Sequence, residues 1–317
     1  MKSLPHSQKE SLMLPSRLPV SVQDRRRFLS SLGLSAAALM LSPALRPCSV
    51  FGKNAVSAAP GRLVLLSDTH VGRFPRYRFT VDWLIECVSE ISAMDPRPAH
   101  VLIYGDLSFN VGEIGDYRML REIFKPLDDA GIPWTPCMGN HDRRETFSEI
   151  FPEKAARSLV PGYLVFKAET KYADFIMLDS LNVGKVGGKV SDDQKDWLNE
   201  TLKKQTKPTI VGAHHPLRET QVTEILESHS CVAGYINGHW HYWHTNDQPA
   251  KLPNMVMPSS GLWGDIGMVH ADLTQDSANF TLALRDSFPQ GKVRSSNVPG
   301  REEVTATKNG LQWRLDL

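Results

Sequence analysis

Leu63-Val64-Leu65-Leu66-Ser67-Asp68-Thr69-His70 is the stretch on which the fold turns. A short apolar run bounded by polar residues suits a buried strand better than a helix, because it is too brief for helical turns. This run ends in a carboxylate and an imidazole two residues apart. The same grammar recurs along the chain. Residues 101–104 run into Gly105-Asp106, and 134–138 into Gly139-Asn140-His141-Asp142. Residues 209–212 lead to Ala213-His214-His215-Pro216, and 231–236 to Gly238-His239-Trp240-His241. Between and after them, helical spacing appears at 81–91, at 117–130 closed by Gly131, and at 191–204 with Ser191 as cap. Further strand-like runs lie near 164–166, 175–178, 255–257, 267–271 and 280–284. Strand–helix alternation followed by strand-rich sequence predicts an α/β fold with a mixed sheet, or two packed sheets, covered by helices.

The strand ends carry chemistry that no one of them would support alone. Asp68 and His70 are expected to point the same way by strand alternation. Asp106 has two carboxylate oxygens and suits a bridge between two ions, which typically sit about 3.5–4 Å apart. Asn140 offers an amide oxygen without charge, and His214, His239 and His241 offer imidazoles. Imidazole, carboxylate and amide donors without thiolate fit Mn, Fe or Zn. Taken singly, an Asp-x-His or a Gly-Asp is ordinary turn chemistry; five such stretches in this order are not.

Those five motifs, from about Leu63 to His241, resemble the calcineurin-like metallophosphoesterase superfamily. The resemblance implies a four-layer α/β/β/α sandwich with a dinuclear metal site at the strand ends. It divides the ligands between two divalent ions: Asp68, His70, Asp106 and His241 at one, and Asp106, Asn140, His214 and His239 at the other. The implied reaction is hydrolysis of a small phosphate ester by direct attack of a metal-bound hydroxide, without a covalent phosphoenzyme. His141 is the expected catalytic residue beyond the metals, protonating or stabilising the leaving oxygen. Asp142 beside it is expected to fix its tautomer, and His215 to face substrate. Purple acid phosphatases carry a Tyr three residues after the bridging Asp. Here Phe109 stands there, so the pattern is more similar to the cyclic-nucleotide and glycerophosphodiester phosphodiesterases. A phosphomonoesterase or nucleotidase on the same fold is the alternative, and a non-catalytic interaction module the more distant one. Trp240, Tyr242, Trp243 and Trp263 are candidates to line the mouth of the site, as are Arg73 and Arg76 to reach a phosphate.

The front of the chain reads as an address. Asp24-Arg25-Arg26-Arg27-Phe28-Leu29-Ser30 resembles a twin-arginine export motif, followed by a weakly apolar stretch at 28–41. That stretch is short of the about 20 apolar residues a membrane span needs. A leader over 1–58, cleaved after Val56-Ser57-Ala58, implies export to the periplasm or medium through the twin-arginine machinery. Cys48 follows a poor lipobox, so no stable membrane anchor is expected. The leader holds 8 Lys/Arg and 2 Asp/Glu, which leaves 28 against 33 in residues 59–317, a net charge of −5. With that balance and no basic run, nucleic acid is not an expected partner. Cys87, Cys137 and Cys231 show no C-x-x-C spacing and are expected as free thiols, the last two buried. Residues 286–317, rich in Gly, Ser, Pro and charge, are expected to wrap the surface of the 59–317 domain, with 311–315 adding an edge strand.

Overall fold

A computed structural model describes residues 57–72, 78–246, 252–262, 264–285 and 308–317. All of the expected leader but Ser57 and Ala58, together with Arg73, Arg76, Trp263 and most of the expected C-terminal wrap, lies outside these residues; Ala58, the expected last residue of the leader, begins the first strand. The described chain forms two six-stranded sheets. The first has the order β12-β11-β10-β1-β2-β3, built from β1 (Ala58–Leu66), β2 (Arg97–Ile103), β3 (Trp134–Pro136), β10 (Gly267–Leu273), β11 (Ser277–Leu284) and β12 (Gln312–Asp316). The second has the order β4-β5-β6-β7-β9-β8, from β4 (Phe166–Glu169), β5 (Asp174–Met177), β6 (Thr209–Ala213), β7 (Val232–Asn237), β8 (His244–Asn246) and β9 (Asn254–Val256). Both sheets are mixed. β1, β2 and β3 are parallel while β10, β11 and β12 continue antiparallel; β5, β6, β7 and β9 are parallel between antiparallel edges.

Strand alternation explains the layering. In β5, Phe175 and Met177 join one hydrophobic core while Ile176 joins another; in β6, Ile210 and Val211 divide the same way. A strand that is apolar on both faces must be covered on both. The outer face of the second sheet is closed by α5 (Asp192–Leu202) and α7 (Thr223–Glu227), through Leu198, Leu202 and Leu226. The first sheet is covered by α1 (Arg78–Ala93) and α2 (Ile114–Asp129), whose Leu84, Val88, Ile91, Leu120, Phe124 and Leu127 are buried. Fully burying each such side chain contributes about 1.5–3 kcal/mol. The inner faces of the sheets meet tightly: a Cβ at Gly212 would sit 2.4 Å from the Tyr104 ring of the facing sheet. The result is the expected α/β/β/α sandwich.

The short helices α3 (Arg144–Ile150), α4 (Pro152–Ala155) and α6 (Leu217–Thr220) lie in the connections. Ser191 caps α5 as expected, accepting the Gln194 amide. β4 begins later than the apolar pattern at 164–166 suggests, because the Leu164 amide is taken by the Asp179 carboxylate at 2.8 Å. β12 forms the anticipated edge strand. Cys87, Cys137 and Cys231 are free, but Cys231 is half-buried, since it sits one residue ahead of β7.

Candidate metal centre

The five strand-end stretches converge. Asp68 follows β1 and its amide donates to the Gly105 carbonyl at 3.0 Å; the His70 amide donates to the Asp106 carbonyl at 2.9 Å. Asp68, His70, Asp106 and His241 form one buried group, and His214, His215 and His239 a second; within each, the potential ligand atoms lie within 4.8 Å of one another. Asp106 joins the two. Its Oδ2 is 3.7 Å from His70 Nε2 and 3.2 Å from His214 Nε2. Asn140 Oδ1 lies 3.3 Å from His214 Nε2, on the second side.

The backbone at these positions is strained. Six described non-glycine residues have positive φ, and five of them are Asp68 (50°), His70 (44°), Asp106 (49°), His239 (74°) and His241 (61°). Left-handed backbone at a non-glycine residue costs of order 1–3 kcal/mol and persists only where the surroundings impose it. It also revises the expected cause of convergence. Asp68 and His70 share the cavity because both sit in left-handed turns beyond the strand, not because extended side chains alternate. Gly139 is required by close approach: a Cβ there would fall 2.2 Å from Asp106 Oδ1.

Two of the imidazoles are held by their far nitrogens. His214 Nδ1 donates to the Tyr104 carbonyl at 2.8 Å, and His70 Nδ1 to the Phe109 carbonyl at 3.3 Å. Both therefore aim an Nε2 lone pair inward. What those lone pairs meet are a carboxylate oxygen, an amide oxygen and further ring nitrogens, each able to act as an acceptor. His70 Nε2 faces His241 Nε2 at 3.3 Å, and His214 Nε2 faces Asp106 Oδ2, Asn140 Oδ1 and His239 Nδ1 at 3.2–3.3 Å. Buried acceptors pointed at one another repel unless a cation lies among them, so this donor set suits divalent ions. The electrostatics agree. Burial opposes charge on Asp106, yet the surrounding imidazoles, His214 first, hold its carboxyl well below the usual range. Burial likewise opposes charge on His214, but Asp106 and Asp68 push it up to about 9, so without a metal its Nε2 carries a proton toward Asp106 that a bound cation would replace. His70, where burial prevails, falls to about 4.

His141 sits at the rim, half-exposed. Its Nδ1 donates to the Asn110 carbonyl at 2.9 Å, which leaves Nε2 toward the site, 4.0 Å from Asp106 Oδ2. Asn110, not Asp142, therefore sets the His141 tautomer. The Asp142 carboxylate is buried and turned away, accepting the amides of Leu107 (3.0 Å), Ser108 (3.1 Å) and Gly139 (2.9 Å) and the Tyr117 hydroxyl (3.0 Å). Burial and Asp106 push its pKa up to about 6 against those amides. It stitches the loop carrying Asp106 to the loop carrying Asn140. His215 does not face an open cavity either: Nδ1 accepts from Ser180 at 2.8 Å and Nε2 donates to the Val186 carbonyl at 3.0 Å.

Sequence reasoning passed over the serines beneath the site. Ser67 hydrogen-bonds the Asp68 carboxylate, and Ser259 donates to the Asp68 carbonyl at 2.9 Å. The Pro258-Ser259-Ser260-Gly261 run, one residue beyond β9, was the available signal. Of the aromatic candidates, Trp243 is buried in the core, whereas Trp240 is exposed with the Arg218 guanidinium 4.7 Å above its ring.

Residues 61–243 match the family described as calcineurin-like phosphoesterase, a span that contains every residue of the two groups. The chain belongs to that family. A probable cyclic nucleotide phosphodiesterase of Rhodococcus erythropolis is 33% identical over 228 residues, covering 65% of this chain and 73% of that protein. A probable cyclic nucleotide phosphodiesterase of Synechococcus is 30% identical over 158 residues, 45% of this chain and 58% of that one. A probable glycerophosphodiester phosphodiesterase of Arcobacter nitrofigilis is 30% identical over 159 residues, 49% and 56% of the two chains. This calcineurin-like chain thus spans little more than half of two of these relatives. Among solved structures, a dimetal phosphatase from Danio rerio superposes with a TM-score of 0.56 at 15% identity, covering 70% of this chain and 95% of that one. A purple acid phosphatase from yellow lupin superposes with a TM-score of 0.54 at 11% identity, covering 80% and 53%. These two show the shared fold.

Proposed function

We propose that this protein is an exported, dinuclear-metal phosphodiesterase. The observation that carries the reading is Asp106 Oδ2, set between two buried donor groups with a half-exposed imidazole, His141, at their mouth. Asp68, His70 and His241 with Asp106 would hold one divalent ion, and Asn140, His214 and His239 with Asp106 the second. Bound there, the ions supply positive charge for the phosphate oxygens and lower the pKa of water enough for a nucleophile to exist near neutral pH. Among the proposed ligands only Asp68 and Asp106 carry negative charge, so two divalent ions would leave a positive surplus for an anionic ester. His141 acts as general acid: Asn110 engages Nδ1–H, and Nε2–H of the imidazolium is left to protonate the departing oxygen.

The diester preference is supported by the relatives named as phosphodiesterases and by Phe109, which offers no phenolate to a metal. Cyclic nucleotides and glycerophosphodiesters are the substrate classes those relatives suggest. The proposal of export rests on the Arg25-Arg26 motif, outside the described residues; among the described residues no helix is long and apolar enough to cross a membrane. The test is hydrolysis of bis(p-nitrophenyl) phosphate beside p-nitrophenyl phosphate, after metal removal and reloading with Mn, Fe or Zn. Faster diester cleavage is expected. Faster monoester cleavage would transfer the protein to the phosphatases, and no cleavage of either with metals bound would refute the enzymatic reading for simple esters.

A further inference from the structure

A cavity of about 540 Å³ opens where the two sheets leave free edges, between β3 of the first and β4 of the second. Its lining shares no residue with the two buried donor groups of the metal centre. The cavity is built around a cation. Lys154 reaches in from α4, where its Nζ donates to the Trp134 carbonyl at 2.8 Å and sits 3.4 Å from the centre of the indole ring.

Lys154 has no carboxylate partner among the described residues, because each nearby carboxylate is committed elsewhere. Asp128 accepts from Trp134 Nε1 at 3.1 Å, Glu153 pairs with Arg121 at 3.1 Å, and the exposed Glu169 pairs with Lys167 at 3.2 Å. Arg157, on the same wall, is exposed and likewise forms no ion pair among the described residues. Burial, with Arg157 and Arg121 nearby, brings Lys154 down to about 8, although Asp128 and Glu153 pull the other way. A half-buried ammonium beside an unpaired guanidinium is an electrostatic deficit that an incoming anion would relieve. Phe166 and Leu159 supply apolar wall for the body of such a ligand.

We propose that this cavity is a second binding site, which takes a small organic anion by its phosphate or carboxylate group, held between Lys154 and Arg157. Arg157 provides the planar fork and Lys154 the point charge, a pairing suited to either oxyanion. This site is independent of the metal chemistry.

Its test reads Lys154 alone, so that anions at the metal centre do not interfere. The full chain is labelled with a trace acylating reagent, and each lysine is quantified by peptide mass spectrometry during titration with inorganic phosphate or with benzoate. Sodium chloride serves as the ionic-strength control. Acylation of Lys154 is expected to fall with one or both anions while the exposed Lys125 does not change; the effective anion identifies the preferred headgroup. Arg157→Gln, at an exposed position, should raise the half-protecting concentration about tenfold, as expected for loss of one charge-assisted contact. Labelling of Lys154 that is unmoved by both anions, equal protection by sodium chloride, or unaltered protection in Arg157→Gln would overturn the proposal.

Discussion

Replacing Asp142 by Asn exchanges one oxygen for an amide group, yet the structure assigns that change a large effect. Asp142 Oδ1 accepts from the Ser108 amide and the Tyr117 hydroxyl, Oδ2 accepts from the Gly139 amide, and the Leu107 amide lies within reach of both. An Asn has one acceptor edge and one donor edge. If its oxygen takes the Oδ1 position, the new NH2 meets the Gly139 N–H head-on; if it flips, the Ser108 amide is stranded. One buried N–H without a partner costs about 1–3 kcal/mol, and the contacts that survive lose their ionic strengthening. We therefore expect Asp142→Asn to lose roughly 2–4 kcal/mol of stability, measured by urea unfolding of the metal-free protein. That is survivable for a domain with about 5–15 kcal/mol in hand. Leu107 follows Asp106 and Gly139 precedes Asn140, so metal affinity should fall with stability, about 10- to 100-fold. Metal content by elemental analysis, across a titration of free Mn or Zn, gives the second readout. A variant with wild-type stability and metal affinity but lower turnover would refute the stitching role and restore the direct action on His141 that adjacency suggests.

Asp106→Asn should abolish activity and lower metal content at both positions, whereas His141→Ala should retain metal and lose about 10²- to 10⁴-fold in turnover; normal turnover in the latter would end its assigned role. Arg144→Met removes the fork that grips Asp179 at 2.6 and 2.8 Å and strands a buried carboxylate, so unfolding should become easier by about 3–5 kcal/mol. A loss under about 1 kcal/mol would show that the amides of Leu164 and Leu181 suffice for Asp179. His100 is held down to about 4 by burial and by Lys154, against 6.5 when free. Between those values the unfolded chain takes a proton that folded His100 refuses, so stability is intact above about 6.5 and declines as pH falls toward 4. The contribution is at most about 3 kcal/mol. His100→Gln should flatten that acid limb in urea midpoints measured from pH 7 to pH 4, and an unchanged limb would assign it to other groups.

Much of the donor chemistry was legible in the sequence because it is local. A buried apolar run followed by Asp-x-His or Gly-Asp announces both a strand and what stands at its end, and short apolar runs and helical spacing located most strands and the longer helices. β8 was not legible, being a three-residue edge strand without its own pattern. Asp142 and His215 were legible as chemically capable side chains beside ligands, but their tasks were not. Adjacency in sequence says nothing of which way a ring or carboxylate turns once the backbone leaves a strand.

By itself the sequence determined the α/β class, the order of the strand ends and the inventory of carboxylates, imidazoles and amide that they deliver, since each follows from composition and spacing within a few residues. Tertiary structure alone decided how that inventory is used. His214 is aimed by a carbonyl 110 residues away, Asp68 meets a serine 191 residues away, and five ligand candidates are held in left-handed backbone that no local preference would choose. Those arrangements are imposed by packing two sheets face to face, where each buried polar group takes the partner that the opposing chain presents.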